Sequence, residues 1–454
     1  MNLAAALLQQ AKTAPEGVAV VAPERVTIGD LATVSGRLAA RLARDVASGE
    51  RVVVLSGSDV TFVHAYLAIL TAGAIAVPVN AASPSLELAR ELEVVDPALV
   101  ITSPAFADLA RRACAQHAKA VPVLVYEAGD ESELAPEPLA PVDRAPGDLA
   151  VLLFTAGTAG APKPAMLTHG SLLANLEQMQ AHPGLRVGPG DVALAVLPFF
   201  HVFGLNVVLG LALMAGAAVT LVDHFHPTET LHRVRADGVT VIAVVPAVLE
   251  AWVALDAETA PADALAHVRL CVSGAAPLTA ELVDAMRERF GVDVHDGYGL
   301  TEASPVVTTS AVAARPRVGS VGPPLPGVEV RLVDADGQDV LAGDPGEILV
   351  RGANVFAGYW GDADASERVL AGGWLHTGDV GVADDDGWLA LVERAKDVVI
   401  VSGFNVYPGE VEQVLAQHAD PLRVETIEAA HRRDAIGFVP NGRLHPGRFG
   451  QILD

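Results

Sequence analysis

Cysteine is scarce. Cys114 and Cys271 lie far apart in a chain of 454 residues, so no disulfide framework or zinc-ligand spacing is available, and the usage suits a reducing cytoplasm. Positive charge is scarce too: 30 Lys and Arg stand against 55 Asp and Glu, a net charge of −25. That balance argues against a nucleic-acid groove or an anionic membrane surface as a partner. A phosphate-bearing ligand would need a local exception. The N-terminus Met1–Lys12 lacks a basic n-region and reads as a short amphipathic helix rather than an export signal, so a cytoplasmic protein is expected. The long, nearly uncharged run 192–222 is broken by Pro198, His201, Asn206 and glycines, and reads as buried helix and strands rather than a membrane span. No GxGxxG fingerprint, Walker A loop, fixed-period repeat or low-complexity tract beyond an alanine bias occurs.

What is present is apolar material, 51% of all residues, enough for large cores and more than one domain. Apolar strands alternate with helices from the start. Arg51–Leu55, Ala74–Pro78, Ala98–Thr102 and Val121–Val125 come first; after a polar, Pro-rich connection at Glu127–Pro146 the rhythm resumes with Ala217–Val222, Val239–Val245 and Leu270–Val272. This pattern predicts an α/β fold with mostly parallel sheets. Near Arg317 the character changes to Gly/Pro turns and alternating strands at Gly327–Asp334, Gly346–Gly352 and Trp388–Val392, which predicts an antiparallel β subdomain.

One stretch organises the rest. Leu149–Phe154 reads as a strand buried on both faces, Ser171–Met179 as a helix, and the segment between them as a loop carrying Thr155, Gly157, Thr158, Gly160 and Lys163. Glycine backbone N–H groups, two hydroxyls and one mobile cation make a polyphosphate cradle. Alone, the same loop also reads as an ordinary Gly-rich turn.

Five further stretches follow in order: Pro198–Gly204 with His201 among aromatic residues, Ser273-Gly274-Ala275-Ala276-Pro277, Gly297-Tyr298-Gly299-Leu300-Thr301-Glu302, Trp374–Asp379, and Glu393–Asp397 with Arg394 and Lys396. Together with the loop they resemble the adenylate-forming superfamily, which includes acyl-CoA synthetases, non-ribosomal adenylation domains and luciferases. The resemblance runs from near residue 1 to about residue 418. It implies that a carboxylate attacks the α-phosphate of ATP to give an acyl-adenylate, and that the acyl group then passes to a thiol. By resemblance, Thr155, Gly157, Thr158, Gly160 and Lys163 meet the β- and γ-phosphates. Glu302 holds Mg²⁺ and Thr301 reaches the α-phosphate. Tyr298 stacks on adenine, with Gly297 and the backbone of Gly274 and Ala275 beside it. Asp379 takes the ribose hydroxyls, Arg394 is the cation for ribose or phosphate, His201 lies between the acyl pocket and the thiol tunnel, and Lys396 is the hinge of a small C-terminal domain. Singly, these residues also read as a helix-start carboxylate, core and turn residues, an Asx turn, a solvated arginine, a core histidine and a surface lysine.

The chain departs from the family in two places. Ala156 and Ala159 replace hydroxyl residues in the phosphate loop, and Pro164 replaces a glycine after the lysine. Beyond Lys396 the sequence is short. Pro421–Asp454 lacks the family's strand pattern, and Gln451 stands where the resemblance puts a lysine. The expectation is an adenylation domain over 1–393 and a hinge with a truncated α+β remnant over 394–454. The lineage reads as an acyl-CoA synthetase for a fatty or similar carboxylic acid, with ATP, Mg²⁺ and coenzyme A, impaired by the missing lysine. Two alternatives remain open at this stage: a non-catalytic ATP- or acyl-binding relative, and an adenylating enzyme serving a carrier-protein thiol.

Overall fold

The computed structural model describes residues 1–132, 134–155, 163–312, 315–394, 399–401 and 404–406, with backbone only from Glu393 onward. Gly157, Thr158, Gly160 and Lys396, the side chain of Arg394, and the segment around Gln451 therefore lie outside the described residues. Contacts divide the chain into two compact units: Met1–Val330 with Val350–Leu375, and Arg331–Leu349 with the chain from His376.

The first unit is built on two sheets. One has six strands in the order Val123–Val125, Leu99–Thr102, Arg51–Leu55, Ile75–Pro78, Leu149–Thr155 and Lys163–Thr168; its neighbours are parallel except for the last pair. The other has eight, in the order Val306–Thr309, Val294–Gly299, Leu270–Gly274, Val241–Val244, Val192–Ala195, Ala218–Leu221, Val18–Ala22 and Val26–Thr27, antiparallel only at its two ends. The inner strands are apolar without alternation because helices cover both faces. Every residue of Ile75–Pro78, Leu99–Thr102 and Val241–Val244 is buried. The helix Val60–Thr71 is also buried along its whole length, so it packs on all sides and shows no polar stripe. Among the described residues no helix is long and apolar enough to cross a membrane.

The segment between Leu149–Thr155 and the following helix differs from expectation. Lys163–Thr168 is a strand, paired antiparallel so that Thr155 stands opposite Lys163 and Phe154 opposite Pro164. A proline argues against a strand because it has no N–H to give. Here the strand is the last in its sheet and Pro164 uses its carbonyl, which accepts from Trp360 N at 2.8 Å.

The helix His169–Ala181 starts with a reciprocal cap. Ser171 N donates to Thr168 Oγ1 at 2.9 Å and Thr168 N donates to Ser171 Oγ at 3.1 Å, which satisfies two of the end's orphan donors. The helix packs on both the 149–168 hairpin and the segment Phe203–Gly210, a stretch of π-helix.

In the second unit, strands Leu375–Ala383 and Leu389–Arg394 pair antiparallel. They are the last two of a four-stranded sheet that begins with Val328–Val333 and Gly346–Gly352. Val399–Val401 and Phe404–Val406 form a separate antiparallel pair. The α/β architecture with parallel sheets and an antiparallel β part is as the sequence pattern predicts.

His169 is fully buried, and its Nδ1 accepts from Leu3 N at 3.0 Å, tying the N-terminal helix Leu3–Leu7 to the helix it begins. Burial lowers its pKa to about 4. A histidine kept neutral by the fold contributes stability that is complete above its unfolded pKa and is lost as pH falls through the window from about 6.5 to about 4. Asn at 169 can offer the same acceptor without titrating. The stability difference between wild type and His169→Asn should therefore shift against wild type as pH falls through that window, by up to about 1.4 kcal/mol per pH unit. Denaturant titrations of both proteins at pH 7.5, 5.5 and 4.5 check this, and a constant difference would contradict it.

Candidate active site

The motif residues of the first unit gather at the carboxyl ends of parallel strands, where open α/β sheets place their ligands. Gly274 and Gly297 stand opposite each other on the adjacent strands Leu270–Gly274 and Val294–Gly299. A side chain at Gly274 would meet the Gly297 carbonyl at 3.3 Å and the Phe203 ring at 3.5 Å, so hydrogen at this position leaves backbone open beside the aromatic motif. Ala275 follows with φ of +66°, a left-handed conformation that costs a residue bearing a Cβ on the order of 1 kcal/mol or more. Tyr298 is buried next on the strand. Asp296, just before Gly297 on the same strand, accepts from Gly297 N at 2.9 Å, and burial pushes its carboxyl up to about 7.

Thr301 and Glu302 lie in a short 3-10 turn, Thr301–Ala303, that leads through Ser304 at φ +67° into the edge strand Val306–Thr309. The turn and the residues after it are pinned by three buried asparagines, joined by a buried glutamine, to none of which the sequence assigns this role. Asn354 donates to Ala303 O at 2.8 Å and Asn206 to Ser304 O at 2.8 Å. Asn175 donates to Val306 O at 2.8 Å and accepts from Val306 N at 3.1 Å, standing in for a strand partner. Gln178 links Asn175 to Asn354, at 3.2 and 3.4 Å.

Two more residues without an assigned role complete the picture, Tyr359 and Asp362. Tyr359 donates its hydroxyl to Glu302 Oε1 at 2.6 Å. Burial, reinforced by the Glu302 charge, raises the pKa of that phenol, so it stays a donor. Lys163 donates to Asp362 Oδ2 at 2.7 Å and lies 5.7 Å from the centre of the Tyr359 ring. The Lys163 hydrogen bond, with that from Ala365 N, holds the Asp362 carboxyl below its ordinary range. Thr155 donates to the Lys163 carbonyl at 3.2 Å, closing the base of the loop. Both residues fall within the span of the resemblance, but nothing in the composition around them marks Tyr359 or Asp362 as neighbours of Glu302 and Lys163. Both contacts are tertiary.

His201 ends the turn from Pro198. It is exposed, and its ring packs on Phe200 at 4.4 Å between centres. Gly204, three residues on, has no room for a side chain, since a Cβ there would meet the Pro198 carbonyl at 2.5 Å.

In the second unit, Thr377 donates to Ile348 O at 2.7 Å and accepts from Asp379 N at 3.0 Å, while Gly378, at φ +70°, donates to Glu347 Oε1 at 3.2 Å. Asp379 and Arg394 are cross-strand partners in backbone register. Among the described residues no cluster of three or more His, Cys, Asp or Glu could hold a metal by itself. A single carboxylate such as Glu302, joined by substrate phosphate oxygens, is the donor set that suits Mg²⁺.

A family model described as AMP-binding enzyme matches residues 7–360. The 4-coumarate–CoA ligase 2 of Oryza sativa subsp. japonica is 34% identical over 460 residues, covering 94% of this chain and 80% of that protein. A long-chain-fatty-acid–CoA ligase of Escherichia coli O157:H7 is 37% identical over 284 residues, which are 62% of this chain and 50% of the relative. Among solved structures, ATP-bound MatB from Rhodopseudomonas palustris superposes with a TM-score of 0.84 at 31% identity, covering 93% of this chain and 84% of that one. The chain belongs to the AMP-binding enzyme family, with the acyl-CoA synthetase fold of the adenylate-forming superfamily and acyl- and aryl-CoA ligases as its relatives.

Asn175→Ala would leave the Val306 N–H and carbonyl without partners in a buried setting. A loss of about 2–4 kcal/mol in unfolding free energy is expected, from the cost of stranding two buried backbone groups. Urea denaturation followed by tryptophan fluorescence measures it, and a loss under about 0.5 kcal/mol would mean that water reaches these groups.

Proposed function

We propose that this chain is an ATP-dependent acid–thiol ligase of the acyl-adenylate-forming type, acting on an apolar aliphatic or aromatic carboxylic acid. Coenzyme A is the proposed acceptor. The observation that carries the reading is the convergence of a cation and a carboxylate on one side chain: Lys163 beside the Tyr359 ring and Glu302 on its hydroxyl. In a chain of net charge −25, a lysine held at the mouth of a Gly-rich loop, with a hard carboxylate nearby, is the local exception that a magnesium triphosphate requires.

The roles follow from the chemistry of each group. Lys163 supplies charge to the β- and γ-phosphates, with Thr155, Gly157, Thr158 and Gly160 of the same loop. Glu302 is the protein ligand for Mg²⁺, which when bound neutralises the triphosphate. Thr301, next to it, is the donor for the α-phosphate. Tyr298, Gly297, Gly274 and Ala275 form the adenine wall. Asp379 and Arg394 bind ribose, His201 borders the acyl site, and Lys396 is the hinge between an adenylation domain over 1–393 and the remainder. Two free, buried cysteines support a reducing, cytoplasmic setting.

Lys163→Ala tests the charge assignment. AMP has no β- or γ-phosphate for this residue to meet, so the variant should lose about tenfold or more in ATP affinity while keeping AMP affinity within about twofold, as expected for removal of a charge-assisted hydrogen bond. Isothermal calorimetry with both nucleotides reads the split. Equal losses for ATP and AMP would make Lys163 a structural residue.

A further inference from the structure

Lys163 begins the edge strand of one sheet and Glu302 lies in the turn before the edge strand of the other, far apart in sequence, yet one short segment touches both. From Phe356 to Asp362 the chain runs along the outer edge of the strand Lys163–Thr168. Ala357 N donates to Met166 O at 2.9 Å, Met166 N to Gly358 O at 2.9 Å, and Trp360 N to Pro164 O at 2.8 Å. On its other side the same segment reaches the turn of Glu302, where Phe356 N donates to the Glu302 carbonyl at 2.9 Å. Gly358 makes this course possible: its φ is +111°, and a Cβ there would meet Ser366 Oγ at 2.7 Å. The side chains repeat the backbone's connection, Tyr359 to the Glu302 carboxylate and Asp362 to the Lys163 ammonium.

We propose that Tyr359 is a positioning residue for Glu302, and that the segment Phe356–Asp362 is a brace that sets the metal-binding carboxylate in register with the phosphate-binding lysine before nucleotide arrives. This rests on the assignment of Glu302 to Mg²⁺ and Lys163 to the triphosphate. A phenol on Oε1 fixes the rotation of the carboxylate and leaves Oε2 for a hard cation; among the described residues Oε2 has no hydrogen-bond partner. The ring is itself fixed, packed edge-on against Phe356 at 5.0 Å and 77°. An ammonium has three donors, and Asp362 takes one of those on Lys163. Groups that orient a metal's ligand typically matter about 10–100-fold in metal affinity.

Tyr359→Phe keeps the ring and removes only the hydroxyl. ATP binding is followed by calorimetry over a series of Mg²⁺ concentrations, in wild type, Tyr359→Phe and Glu302→Gln, with metal-free AMP titrated into each as the control. The Mg²⁺ concentration giving half-maximal ATP binding should rise about tenfold in Tyr359→Phe and further in Glu302→Gln, with AMP affinity unchanged in both. A wild-type Mg²⁺ profile in Tyr359→Phe beside a shifted one in Glu302→Gln would overturn the brace and leave the metal assignment standing. Unshifted profiles in both variants would overturn the metal assignment and the brace together. Loss of AMP binding in Tyr359→Phe would mark the hydroxyl as a general structural group, which also overturns the proposal.

Discussion

A half-buried polar turn must have its inward-facing backbone groups satisfied by protein, because an orphaned buried N–H or carbonyl costs as much as several ordinary contacts contribute. The turn that carries Thr301 and Glu302 meets this demand with side chains rather than with a ladder. Asn354, Asn206 and Asn175 take the carbonyls of Ala303, Ser304 and Val306, and Phe356 N takes that of Glu302. These four residues come from three parts of the chain: the 169–181 helix, the π-helix, and the stretch after Gly352. The position of one carboxylate is thus fixed by the packing of several elements of the first unit, and a fully satisfied network of this kind specifies one arrangement.

The electrostatics follow the same economy. The chain carries a large negative charge overall, and at Lys163 it places a cation that is held by Asp362 rather than left to solvent. That ion pair is about one-third exposed on each side, at 38% and 34%, so its worth to stability is small and its value lies in geometry. A pair so exposed can open or share a third partner at little cost, which suits the proposed role of Lys163 toward phosphate oxygens.

Much of this was legible from the residues. Uninterrupted apolar runs gave the parallel strands because helices cover both faces of each sheet; of the stretches read as turns, Thr301–Ala303 is one, whereas Gly297-Tyr298-Gly299 ends a strand and Thr377-Gly378-Asp379 lies within one, with Gly378 at φ +70°. What was not legible shares one physical cause. Lys163–Thr168 was expected as part of the Gly-rich loop, and only the edge position, known from the tertiary fold, makes Pro164 acceptable in a strand. Nothing in the sequence gives the amides Asn175, Gln178, Asn206 and Asn354 a role, because the groups they satisfy come from distant parts of the chain. Tyr359 and Asp362 were passed over for the same reason, since each is an unremarked residue of a Gly-rich stretch until Glu302 and Lys163 are brought beside it.

The central claim is the proposal that this chain binds an acyl-adenylate. A non-hydrolysable sulfamoyl analogue carrying either an alkyl or an aryl acyl group presents that intermediate without requiring any chemical step. The account predicts that at least one such analogue binds about a hundredfold more tightly than AMP and competes with ATP, because it fills nucleotide and acyl contacts at once. Affinities no better than that of AMP, across both classes of acyl group, would contradict it.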